Sequence, residues 1–209
     1  EAKKQLFGEV GIDSIAGPSE ILILADSSSN PETIAWDLMA QSEHDSDASG
    51  VLISDSEEII ANVKKIISTE IDSLERCSII KESISSKGLM IKIDNFSEAK
   101  QLVNKIAPEH LHIAFNHANY QDENLLVAGL ILKGENSANS FSDYVLGPSH
   151  ILPTNSSSRF SSPLSVEDFL VSYSYVSLDR EKNIDKFNEY IKHTSRIANA
   201  EGLTAHAIA

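Results

Sequence analysis

Ile21-Leu22-Ile23-Leu24-Ala25 is an unbroken apolar run, followed by the polar turn Asp26-Ser27-Ser28-Ser29 and then Asn30-Pro31-Glu32. A run of this length and composition has the pattern of a strand buried on both faces, as in a parallel sheet. Asn30, Pro31 and Glu32 read as a cap, a first-turn proline and a first-turn acid. They open a helix that runs to about Glu43. One buried strand feeding one capped helix is the unit from which α/β folds are built.

Outward from this unit the alternation repeats. Val51-Leu52-Ile53 reads as a second strand. Residues 57–74 place Ile59, Ile60, Val63, Ile66, Ile67, Ile71 and Leu74 at helical spacing. Residues 89–93 read as a third strand, 97–106 as a helix, 111–115 as a fourth strand and 128–132 as a fifth, with a helical segment near 121–126. The rhythm predicts an α/β protein with a mostly parallel sheet and helices on both faces. Residues 133–164 break it: they are rich in Gly, Ser, Asn and Pro, and long for a connection without a role. Beyond them, 166–173 and 179–200 read as helical, with a short extended piece at 175–178. This small C-terminal helical tail has little core of its own and is expected to dock on something else.

Bulk composition narrows the function. The 209 residues carry a net charge of −14 and no basic run, which argues against binding a phosphate backbone. No apolar stretch approaches the length of a membrane span. Cys77 is the single cysteine, so no internal disulfide forms, and a reducing cytoplasm is the expected setting. The chain opens at Glu1 inside a helix-like run and stops at Ala209 inside another. Both ends read as cut, and targeting signals can lie outside.

Four separated polar clusters carry the chemistry: Gln41-Ser42-Glu43-His44, Pro108-Glu109-His110-Leu111, Ser142-Asp143-Tyr144 running on to His150, and Glu201-Gly202-Leu203-Thr204-Ala205-His206. They supply an amide, imidazoles and carboxylates, a donor set suited to a borderline metal with an acid/base pair left over. Each has a plainer reading. Gln41 and His44 share one face near a helix C-terminus, where an imidazole can simply answer the helix dipole. Glu109 and His110 can be an exposed turn, Asp143 a solvated loop carboxylate and His206 a surface helix residue. His112 and His117 read as surface or packing residues. Ala16-Gly17-Pro18-Ser19-Glu20, just before the first strand, lets backbone approach a ligand and offers the Ser19 hydroxyl. No G-x-G-x-x-G fingerprint is present.

Taken together the segments resemble the histidinol dehydrogenase family. The matching stretches run from Asp13 through Ala16-Gly17-Pro18-Ser19-Glu20 to Asp26, then Ala40-Gln41-Ser42-Glu43-His44-Asp45, Ala107-Pro108-Glu109-His110-Leu111, Ser142-Asp143-Tyr144, Gly147 to Thr154, and Glu201 to His206. The resemblance implies a zinc- and NAD-dependent oxidation of L-histidinol to L-histidine through the aldehyde, the last steps of histidine biosynthesis. It implies Gln41, His44, Asp143 and His206 as zinc ligands, with the substrate completing the metal's shell. Ser19 and Glu201 match substrate contacts, and Glu109 with His110 the catalytic pair; His150 matches a histidine near the site whose role stays open. It further implies a Rossmann-like fold. Residues 1–164 would be the C-terminal part of a first domain and 165–209 a tail that completes the site of a homodimer partner. Relatives are about twice as long, so the expectation is a fragment, inactive alone, whose NAD contacts lie mostly in the absent N-terminal half. A dehydrogenase of another small alcohol such as a sulfonated diol, a non-catalytic metal-binding module and a metal-dependent hydrolase stay open as alternatives.

Overall fold

A computed structural model describes residues 1–115, 126–179, 181–182 and 184–209. The apolar run becomes β1 (Glu20–Ala25), and all but its first residue is buried. The elements up to the second site cluster are α1 (Ala2–Leu6), α2 (Pro31–Ser42), β2 (Ser49–Ser54), α3 (Glu57–Glu70), α4 (Cys77–Lys87), β3 (Leu89–Lys92) and α5 (Phe96–Ile106). β4 (His110–Ile113), β5 (Leu130–Lys133) and α6 (Asn139–Tyr144) follow, and α7 (Ile184–Ala200) and α8 (Thr204–Ile208) close the chain. The five strands form one sheet in the order β3-β2-β1-β4-β5, and every pairing is parallel.

The central strand is apolar on both sides because both sides are covered. Ile21, Ile23 and Ala25 pack with Ile34, Leu38 and Met39 of α2, Ile59 and Val63 of α3 and Ile80 of α4. Leu22 and Leu24 face the other way and pack with Ala99 and Val103 of α5 and with Leu111, Ile113 and Phe115. Burying one such aliphatic side chain contributes about 1.5–3 kcal/mol, so these strand–helix layers dominate the stability of the sheet. The expected cap is in place: the Asn30 side chain accepts the Glu32 backbone N–H at 2.9 Å, with Pro31 in the first turn.

Several expectations change. Residues 77–87, outside every element expected from the sequence, form α4, with Cys77 in its first turn. The segment 166–173 is a single 3-10 turn over Val166–Phe169 and not a helix; Val166, Phe169, Leu170 and Tyr173 do follow a helical spacing, but they stand exposed, so no packing rewards the helix. Residues 175–178 pair with no strand. The last long helix starts at Ile184, since Asp179 accepts the Glu181 and Lys182 N–H groups in a turn that precedes it. The segment 133–164 contains α6 and a 3-10 turn at Ser157–Arg159. The expected helix near 121–126 and His117 lie outside the described residues, Leu126 excepted.

The chain divides into two compact units, Glu1–Phe169 and Leu170–Ala209. Within the second, α7 ends where Gly202 adopts φ 75° and Leu203 N–H returns to the Ala198 carbonyl, a turn that a side chain would strain. Among the described residues of α7 only Ala198 is buried.

Candidate active site

The site forms at the amino edge of the sheet. β1 enters from Ser19, β4 begins at His110, and α2 runs back against β1 to end at Gln41 and Ser42. Doubly wound sheets usually bind ligands beyond the carboxyl ends of their strands; here the polar residues gather at the opposite edge. They line a cleft of about 410 Å³ bordered by Ser19, Gln41, His44, Glu109, His110 and Asp143, together with Tyr144 and His150. Ser19 and His44 also border an adjoining hollow with Asp45 and Asp47.

Delivery of Glu109 and His110 depends on how α5 stops. Ala107 takes a left-handed conformation (φ 48°) and Pro108 follows, so the chain turns sharply into β4. The last carbonyls of α5 are met from the long segment: Ser156 Oγ donates to Ile106 O at 2.6 Å, Ser158 Oγ to Ala107 O at 2.7 Å, and Arg159 to Lys105 O. Glu109 precedes the strand and so escapes its alternation, which lets it share the cleft with His110.

Glu109 and Glu20 brace each other across β1 and β4. Glu20 N–H donates to Glu109 Oε2 at 2.9 Å, and Glu109 N–H donates to Glu20 Oε2 at 3.2 Å. Glu20 Oε1 also accepts the Asn155 N–H at 3.1 Å, tying the long segment to the sheet. Burial raises the Glu20 pKa; the Asn155 and Glu109 N–H groups oppose this, and the nearby Glu109 charge adds to it.

His110 is buried. Its Nδ1 stands 3.1 Å from the Glu20 carbonyl, which can only accept, so Nδ1 carries a proton. Nδ1 is also 3.5 Å from Glu109 Oε2. Among the described residues Nε2 has no hydrogen-bond partner, and it stands 3.8 Å from Asp143 Oδ1. Burial lowers the His110 pKa. That effect is outweighed by the Glu109 carboxylate, the Glu20 carbonyl and Asp143, and the net direction is upward.

Gln41 is buried, and its Oε1 accepts from Asn139 Nδ2 at 3.0 Å. His44 is exposed and Asp143 half-buried, both lining the same cleft. Among the described residues, no three His, Cys, Asp or Glu side chains converge closely enough to hold a metal by themselves. Gln41, His44 and Asp143 offer an amide oxygen, an imidazole and a carboxylate to this cleft, a mixed N/O set that fits a borderline divalent ion when a fourth donor is supplied. Glu201 and His206 belong to the second unit, where both are exposed.

A family model described as histidinol dehydrogenase matches residues 1–209. The chain belongs to the histidinol dehydrogenase family. It is 43% identical over 206 residues to the histidinol dehydrogenase of Clostridium acetobutylicum and 42% identical over 206 residues to that of Bacillus licheniformis, covering 99% of this chain in each case. The crystal structure of histidinol dehydrogenase from Elizabethkingia anophelis superposes with a TM-score of 0.86 at 32% identity, covering 99% of this chain. The chain spans 47% of the length of each of these relatives, and so about half a histidinol dehydrogenase.

Four residues that stand behind the cleft and bond to its lining or to one another lie outside the sequence-based site. Glu20 was in view beside Ser19 without a role. His112 and Asp37 were each legible by periodicity: His112 follows His110 by two residues, on the same side of a strand, and Asp37 precedes Gln41 by four, on the same side of a helix. Asn139, in the segment read as loop, had no local signal.

Proposed function

We propose that this chain is the part of a histidinol dehydrogenase that binds the substrate and handles its protons, in the oxidation of L-histidinol to L-histidine through the aldehyde. The observation that carries this reading is His110. It is a buried imidazole with its Nδ1 proton committed to the Glu20 carbonyl and its Nε2 lone pair unpartnered beside the cleft. A base so held accepts a proton only at Nε2. As hydride departs from the alcohol carbon, His110 Nε2 takes the hydroxyl proton, and the rising positive charge on the ring is met by Glu109 at Nδ1 and Asp143 at Nε2.

Glu109 has one oxygen committed to the Glu20 N–H. Its other oxygen is available to take a proton from the water that adds to the aldehyde, giving the hydrate from which a second hydride and proton leave. Gln41, His44 and Asp143 would hold a zinc ion, with His206 as the fourth protein ligand. Bound zinc would act chiefly as a template that orients the substrate. Ser19 would contact the substrate in the cleft, and Glu201 its amino group. Two NAD molecules would each accept one hydride, with contacts drawn mostly from the part of a histidinol dehydrogenase that these 209 residues do not span.

We further propose a cytoplasmic homodimer in which the tail of one subunit completes the partner's site. Val171, Tyr173, Tyr175, Val176, Ile191 and Ile197 are all exposed, a quantity of apolar surface that a covered face would explain. The test is NADH production from L-histidinol with added zinc, by this chain and by the protein at the length of its relatives. Activity in the long form alone is expected. NADH formed by the 209-residue chain would overturn the division of labour, and none from either would overturn the substrate.

A further inference from the structure

Behind the cleft, four buried polar side chains form a continuous hydrogen-bonded chain that the proposed proton transfers do not use. His112 in β4 is 0% exposed. Its Nε2 donates to the Gly134 carbonyl at 3.0 Å, and its Nδ1 stands 3.0 Å from Asp37 Oδ2, with a proton shared between them. Asp37 Oδ1 accepts the Asn139 backbone N–H at 3.2 Å. Asn139 Nδ2 then donates to Gln41 Oε1 at 3.0 Å. Asp37, Asn139 and Gln41 are 4%, 2% and 1% exposed, so none of these bonds is readily replaced by bulk water.

The chain fixes two things at once. An amide presents oxygen and nitrogen in nearly the same shape, and only the oxygen can ligate a metal; the Asn139 donor selects the orientation of the Gln41 oxygen. Asn139 is also the first residue of α6, which has six residues and no cap of its own. A helix that short does not hold itself, and the Asp37 carboxylate satisfies its first N–H from α2. Asp143 lies four residues on, one turn along the same face. Two of the three proposed metal donors, Gln41 and Asp143, are thus referred to the same buried carboxylate.

We propose that His112, Asp37 and Asn139 are positioning residues that set the Gln41 amide and the Asp143-bearing helix for a divalent metal. The inference rests on reading Gln41 and Asp143 as metal donors. The test uses the protein at the full length of its relatives, stripped of metal and loaded with cobalt(II). Affinity is read by chelator competition, and coordination by the visible ligand-field spectrum. Asn139→Asp keeps the shape but sets an oxygen against Gln41 Oε1. Asp37→Ala removes the link, and Asp37→Asn restores it, since its oxygen accepts the Asn139 N–H and its amide donates to a neutral His112 Nδ1. Ser140→Ala, at an exposed position on the same helix, is the control.

Asn139→Asp and Asp37→Ala are expected to weaken cobalt binding by about 10–100-fold and to change the spectrum, as loss of a group orienting a ligand does. Asp37→Asn and Ser140→Ala should match the parent in both. Unchanged binding and spectrum in Asn139→Asp overturn the proposal, as does Asp37→Asn binding as weakly as Asp37→Ala. Gln41→Ala separates the two levels. Unaltered cobalt binding there defeats the reading of Gln41 as a donor, whereas loss in Gln41→Ala beside parent-like Asn139→Asp defeats positioning alone.

Discussion

Replacing His112 by leucine isolates the energetics of the buried His112–Asp37 pair. Leucine fills the space without polar atoms, so the cost falls on the groups left behind. The Gly134 carbonyl still accepts from Ser137 N–H at 3.1 Å and is not orphaned. Asp37 keeps only the Asn139 N–H, at a position 4% exposed. Removing the hydrogen-bond partner of a buried carboxylate costs about 3–5 kcal/mol, because the carboxylate remains without its compensation. In a chain of this size each kcal/mol moves the melting temperature by about 2–4 °C, which gives a fall of about 6–20 °C. Replacing Asp37 by leucine as well removes the stranded carboxylate and leaves the Asn139 N–H as the unsatisfied group, at about 1–3 kcal/mol. The double variant should therefore be about 2 kcal/mol more stable than His112→Leu alone. Thermal and urea unfolding of the parent, both single variants and the double, followed by circular dichroism, gives the coupling directly. A His112→Leu protein within about 1 kcal/mol of the parent, or a double variant less stable than that single one, refutes the argument.

Three further outcomes follow from the site. In the full-length enzyme His110→Asn should lower the rate of histidinol oxidation by about 10²–10⁴-fold while zinc stays bound; zinc lost from that variant, by metal analysis, would show the ligand set to be misassigned. In the metal-free chain the raised His110 pKa is a stability contribution that is complete below the ordinary imidazole value of 6.5 and lost as pH rises through the higher folded value. Urea unfolding across that window should show a loss that His110→Gln flattens, and an unchanged slope in the variant counts against it. A methyl group at Gly129 would meet the Glu109 carbonyl at 2.7 Å and Pro153 at 3.1 Å. Gly129→Ala should accordingly cost about 1–3 kcal/mol in urea unfolding and disturb the Glu109 turn; a fully stable variant would show that the contact yields freely.

The sheet was legible because its central strand is apolar on both faces and its helices are capped and periodic, and each of those signals is local. The same locality explains the failures. The segment 166–173 has the apolar spacing of a helix, yet those side chains stand exposed, and an apolar residue reports that it must be covered, not by what. α4 was hidden by its serines, and Asn139 by a Gly- and Ser-rich stretch in which a six-residue helix is held from outside.

The sequence by itself determined the fold class and the family, and singled out Ser19, Gln41, His44, Glu109, His110 and Asp143 as candidates, since residue types and their order along the chain are enough for those. Only the tertiary structure decided that these six line one cleft at the amino edge of the sheet. It also decided that His110 faces the cleft with Nε2, and that Glu20, Asp37, His112 and Asn139 stand behind them. A hydrogen bond between Asn139 and Gln41 joins groups 98 residues apart in sequence. Bonds of that kind depend on direction and distance in space, and those exist only once the chain has folded.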